Sequence, residues 1–138
     1  IAGHKDRVTK LRRVLGENLI ILECKEVENL LLPDTISMVL ADYGEERTKL
    51  NCFSRESYRW EPLGAFIEER VLKELTKSSR RAENPYREKS GTIKNKRDFC
   101  EKALSYLRCW NDLSEDAKTV TIKIAEFIKR SNKQKSLS

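Results

Sequence analysis

The sequence lacks the marks of several large functional classes. No run approaches the eighteen apolar residues of a membrane-crossing helix, and the first residues lack the basic-then-apolar pattern of a secretory leader. No membrane partner and a cytoplasmic setting are therefore expected. There is one histidine, His4, with no serine, cysteine or aspartate arranged to work with it, so a hydrolase triad has no members. No GxxxxGK[ST] phosphate loop occurs, and any ATPase activity must belong elsewhere. The four cysteines, Cys24, Cys52, Cys100 and Cys109, are spaced too widely for a zinc knuckle and are expected to be free, mostly buried thiols. The chain opens on Ile1 and its single methionine is Met38, from which an upstream portion of the protein is expected.

What is present suits one helix-rich domain. In 138 residues, 36% are charged and 38% hydrophobic, enough for one small core under a heavily solvated surface. The net charge of +6 is matched by one stretch, residues 77–108, which holds ten basic and four acidic side chains. Clustered lysine and arginine attract polyanions through sequence-blind, salt-sensitive contacts. DNA is the expected partner, with Arg80, Arg81, Lys94, Lys96 and Arg97 as candidate phosphate contacts. The alternative is a loop kept soluble by its charge.

Along the chain, Val8, Leu11 and Leu15 recur at helical spacing between His4 and Leu15, and Gly16 is placed to stop that helix. Leu19 to Leu22 is a continuous apolar run of the kind that forms a strand buried on both faces. Helix, glycine and buried strand together suggest a parallel α/β unit. A helix is expected from Pro33 to about Tyr43 before Gly44, and another after Pro62 with Leu63, Phe66, Ile67, Val71 and Leu75 along one stripe. Residues 77–92 suggest a long basic loop. Phe99, Ala103, Leu107 and Trp110 mark a helix over 95–110, and Ser114 caps a last helix whose buried side is Val120, Ile124, Phe127 and Ile128. Residues 130–135 have nothing to bury and are expected to fray. Trp60 and Trp110, at helix edges, are expected to be packing anchors.

The most informative cluster is Glu26-Val27-Glu28-Asn29, directly after the expected strand. In open parallel sheets the carboxyl end of a strand is where ligands bind. Two carboxylates and an amide there have the oxygen chemistry that Mg²⁺ or Mn²⁺ prefers. A structural reading stands beside it, in which Glu26 or Glu28 caps the helix opened by Pro33 or pairs with a lysine.

The segment LIILECK, then EVENLLL and a Pro-Asp helix start, is similar to the part of OLD-family nuclease domains that carries an E-x-EN-[YL]-L pattern. Two later segments resemble the same family: Lys94-Asn95-Lys96-Arg97-Asp98-Phe99 opening a helix, and Leu113-Ser114-Glu115-Asp116-Ala117 followed by a helix closing on 127–132. Residues 45–92 carry no such likeness. The resemblance implies an α/β, helix-rich fold, the back half of a TOPRIM domain (a Rossmann-like parallel sheet) with C-terminal helices. Its parts would be a partial TOPRIM-like segment at 1–44, a helical insertion and basic loop at 45–92, and a C-terminal helical segment at 93–138.

The same resemblance implies a metal-dependent DNA endonuclease joined to an upstream ATPase region, homo-oligomeric and acting in prokaryotic anti-phage defence. Glu26 and Glu28 would be metal ligands and Lys96 the catalytic lysine, with Lys94 as its rival. The family's early glutamate and aspartate pair would lie before Ile1. Mg²⁺ or Mn²⁺ is thus expected only with those upstream residues, and the chain alone is expected to be inactive. The alternative function is a non-catalytic helical module that binds nucleic acid or a partner protein.

Overall fold

The computed structural model describes residues 2–72 and 86–137. Six α-helices are described: α1 (Ala2–Leu15), α2 (Pro33–Asp42), α3 (Arg55–Tyr58), α4 (Leu63–Phe66), α5 (Lys96–Tyr106) and α6 (Glu115–Leu137). The chain divides into two compact units, Ile1–Leu22 with Thr119–Ser138, and Glu23–Lys118, the boundary falling inside α6.

Local chemistry accounts for the helix ends. Gly16 sits at φ +54°, a left-handed conformation that glycine adopts without steric cost, and α1 stops there. Pro33 is the first residue of α2, where its missing N–H costs nothing. The Ala117 amide donates to Ser114 Oγ at 3.2 Å, satisfying one of the otherwise orphaned donors at the start of α6.

The expected α/β fold is overturned: among the described residues there is no strand and no sheet, only an isolated antiparallel bridge between Arg87 and Ile93. Leu19–Leu22 pairs with nothing described and leaves Ile21 42% exposed. A buried strand needs hydrogen-bonded strands along its edges and packed layers over both faces, and a four-residue apolar run does not by itself specify one. The described protein is helical, without the parallel sheet of a TOPRIM domain.

Other expectations are corrected in detail. Residues 86–94, at the end of the expected basic loop, form a tight reversal in which Glu88 N–H donates to Thr92 O and Lys94 N–H to Tyr86 O, both at 2.9 Å. Helix α6 runs on to Leu137 and takes in residues 130–135, which have nothing to bury. Lysine, arginine and glutamine propagate a nucleated helix well without burying anything. Trp60 and Trp110 are 57% and 47% exposed and anchor no core. All four cysteines are free, but only Cys24 is buried.

The core lies in the second unit. Ile36, Val39 and Leu40 of α2 join Leu63, Phe66, Ile67 and Val71, and Phe99 and Ala103 of α5 belong to the same cluster. Beyond α4 the chain widens into a π turn, Ile67–Val71, closed by a Leu72 N–H to Ile67 O bond of 3.0 Å. Tyr58 stacks near Phe66 and Phe53, with ring centroids 5.5 and 5.7 Å away. Helix α5 is tied to α2 by the Tyr106 hydroxyl on Asp42 and the Tyr43 hydroxyl on Asp98. That packing brings the first residue of α5, Lys96, to the segment just before α2.

Candidate functional site

Glu28 lies on a short 3₁₀ turn, Val27–Leu30, and Glu26 immediately before it, the turn's shape being set by Asn29 N–H on Glu26 O at 3.0 Å and Leu31 N–H on Glu28 O at 3.2 Å. Three ties from other segments hold this turn. The fully buried Asn29 amide donates through Nδ2 to the carbonyls of Tyr58 and Glu61, the latter at 2.8 Å. The Tyr58 hydroxyl donates to Leu31 O. Upstream, Lys25 N–H meets Arg59 O at 2.8 Å and Arg59 Nε donates to Glu23 O at 2.6 Å. Arg59 is itself held by Asp116, which also pairs with Arg55 at 2.8 Å.

Both glutamates converge on one ammonium. Lys96 Nζ lies 2.9 Å from Glu28 Oε1 and 3.4 Å from Glu26 Oε1, although it stands 70 positions from Glu26 in sequence. The Glu28 side chain is 1% exposed, that of Glu26 16% and that of Lys96 46%. Burial alone would lower the Lys96 pKa, but the hydrogen bond and charge of Glu28, helped by Glu26, outweigh it and hold the ammonium above its ordinary value. Lys96 is therefore cationic across the physiological range. On the next turn of α5, burial and then the Glu28 charge push the Cys100 thiol up, so it is protonated and unreactive at neutral pH.

Lysine does not satisfy the cluster. Glu26 Oε2, Glu28 Oε2 and Asn29 Oδ1 are buried and accept no hydrogen bond among the described residues. Unpaired buried oxygens are costly, and hard cations take oxygens of this kind. The donor chemistry thus fits Mg²⁺ or Mn²⁺ as part of a ligand set. It is not a full set, since among the described residues no three acidic, histidine or cysteine side chains gather where they could hold a metal. Beside the turn, a cavity of about 240 Å³ with almost wholly apolar walls is lined by Val27, Leu30, Leu31, Ala103 and Leu104. Such walls keep the local dielectric low and strengthen the charge interactions next to them.

The candidate phosphate contacts are not brought together. Arg80 and Arg81 lie outside the described residues. Lys94 is half-buried at the end of the 86–94 reversal. Arg97 is exposed and paired along α5 with Glu101 at 2.9 Å. Of that group only Lys96 meets the carboxylates.

No family model, curated protein or solved structure matches this chain. A functional assignment therefore stands on the chemistry of the cluster. Sequence reasoning treated Asn29 only as a possible ligand and missed its bridging of two carbonyls, which no local pattern announces. The Arg55–Asp116–Arg59 network was missed as well, Asp116 standing 61 and 57 positions from the two arginines.

Proposed function

We propose that Glu26, Glu28 and Lys96 belong to the active site of a metal-dependent DNA endonuclease of the OLD-like, ATPase-linked kind, completed by acidic residues from outside this chain. The observation that supports this reading is the convergence itself: the three residues singled out by the sequence resemblance share one ion-paired cluster. Glu26 and Glu28, with their unpartnered oxygens, would hold Mg²⁺ or Mn²⁺, which when bound supplies Lewis-acid activation of a phosphodiester and of water.

The rest falls to this chain's own groups. The Asn29 and Tyr58 bonds fix the backbone of the turn that presents both carboxylates. Lys96, cationic and half-exposed, can release Glu26 and place its ammonium against a phosphate oxygen, offsetting charge that develops there during cleavage. Its position at the first turn of α5 adds the partial positive charge of a helix N-terminus.

The second reading, a non-catalytic helical module, has one observation in its favour. Lys96 already serves as counter-charge to Glu26 and Glu28, as expected of a purely structural ion pair. Glu28→Gln separates the two. In the full-length protein carrying this chain, Mg²⁺-dependent nicking of supercoiled plasmid is expected to fall at least 100-fold while the unfolding midpoint stays within a few degrees. Wild-type nicking by the folded variant would leave the module reading standing.

A further inference from the structure

The fold redistributes the charge in a way the linear sequence conceals. Residues 1–22 and 119–138, which make up the first unit, hold ten basic and three acidic side chains, a surplus of seven. Residues 23–118 hold eighteen basic and nineteen acidic, a deficit of one. Within the 77–108 stretch, moreover, Arg87, Lys96, Arg97 and Lys102 are already committed to carboxylates. The first unit is different. Lys5, Arg7, Lys10, Arg12 and Arg13 of α1 are all exposed and pair with no acidic side chain among the described residues. The same holds for Lys123, Lys129 and Lys133 of α6.

On α6 the 3.6-residue period sets Lys129 and Lys133 opposite Val120, Ile124, Phe127 and Ile128, whereas Lys123 lines the cavity of Ile124 and Phe127 and Arg130 is turned to Glu17 and Asn18 of its own unit. Ile124 and Phe127 share a cavity of about 330 Å³ with Leu15, Ile20 and Lys123 and are themselves 46% and 44% exposed, while Lys129 and Lys133 stand exposed on the opposite side.

We infer that the basic first unit, through the cations of α1 and the Lys129 and Lys133 side of α6, is a phosphate-backbone binding surface for duplex DNA, and that it carries more of the DNA affinity than the described residues 86–108. A second copy of this unit does not fit the surface, because two units of +7 repel. The contacts are to phosphates, so binding is sequence-blind and steeply salt-dependent. The inference shares with the nuclease reading only its partner. Binding in EDTA requires neither metal nor Glu28, so the two can fail separately.

The test is fluorescence anisotropy of the whole chain with a duplex of about 20 base pairs in EDTA, over a salt series. Replacing Lys10, Arg12, Arg13, Lys129 and Lys133 by glutamine is expected to weaken binding at least 10-fold near 100 mM salt. It should also flatten the slope of log affinity against log salt by about 0.9 for each lost phosphate contact. Glutamine at Lys89, Lys94 and Arg108 is expected to change affinity less than about twofold. A smaller variant, Lys129→Gln with Lys133→Gln on an exposed stretch of helix, guards against loss of fold and should show part of the same flattening. Unchanged affinity and slope in the folded five-site variant, the loss appearing instead in the Lys89, Lys94 and Arg108 variant, or wild-type preference for polyglutamate over DNA would each overturn the inference.

Discussion

At the scale of single residues, Asn29 and Lys96 do most to define the cluster. Asn29 Nδ2 spans two backbone carbonyls, so Asn29→Ala leaves the Glu61 carbonyl without its donor and the Tyr58 carbonyl with only the Glu61 N–H at 3.1 Å. A loss of about 2–3 kcal/mol in urea unfolding is expected; a loss under about 0.5 kcal/mol would mean the turn is held by other contacts. Lys96 makes a prediction of sign. Its pKa is raised above the ordinary 10.5 in the folded state, so folding favours its charged form. The stabilisation it gives is complete below that ordinary value and is lost as pH rises through the raised one. Wild type should therefore outlast Lys96→Met by a constant margin from about pH 7 to about pH 10, with the margin shrinking above that. A margin that disappears between about pH 7 and pH 8 would assign the effect to some other group.

At the scale of elements, Gly64 in α4 is held where no side chain fits. A Cβ there would stand 2.5 Å from Thr92 O and 2.9 Å from Gly91 O, and Ala65 N–H donates to that same Gly91 carbonyl at 2.8 Å. Because the obstruction is backbone, Gly64→Ala is expected to destabilise by about 1–3 kcal/mol and to disturb the 86–94 reversal, measurable as faster amide exchange at Glu88 and Lys94. Unaltered exchange and stability would show that α4 can slide. The helices bounded by Gly16, Pro33 and Ser114 were legible in the sequence because each boundary is written in one or two adjacent residues. The run Leu19–Leu22 was not, since apolarity over four residues is compatible with strand, buried helix or extended linker, and only missing neighbours decide it. The Arg87–Ile93 reversal was hidden for another reason: it depends on Gly64, more than 20 residues away, leaving room for it.

At the scale of the whole molecule, the sequence named Glu26, Glu28 and Lys96 but could not show that Lys96 is the counter-ion of both carboxylates. That relation depends on α5 packing against α2, a long-range contact without local signature. Charge was legible as a total and misleading as a map. A 32-residue window isolated 77–108, whereas the fold joins residues at opposite ends of the chain into the more basic unit. The parallel sheet was inferred from one run and one resemblance, and the described helices do not contain it. Under the proposed nuclease function, Lys96 acts on phosphate chemistry rather than merely neutralising two glutamates. The direct measurement is single-turnover cleavage by Lys96→Gln in the full-length protein, at saturating duplex with Mg²⁺, beside its DNA affinity in EDTA. The predicted result is a cleavage rate reduced by about 10²–10³, the usual effect of removing one electrostatic stabiliser, with affinity within about threefold of wild type. A folded variant that cleaves at the wild-type rate would contradict it.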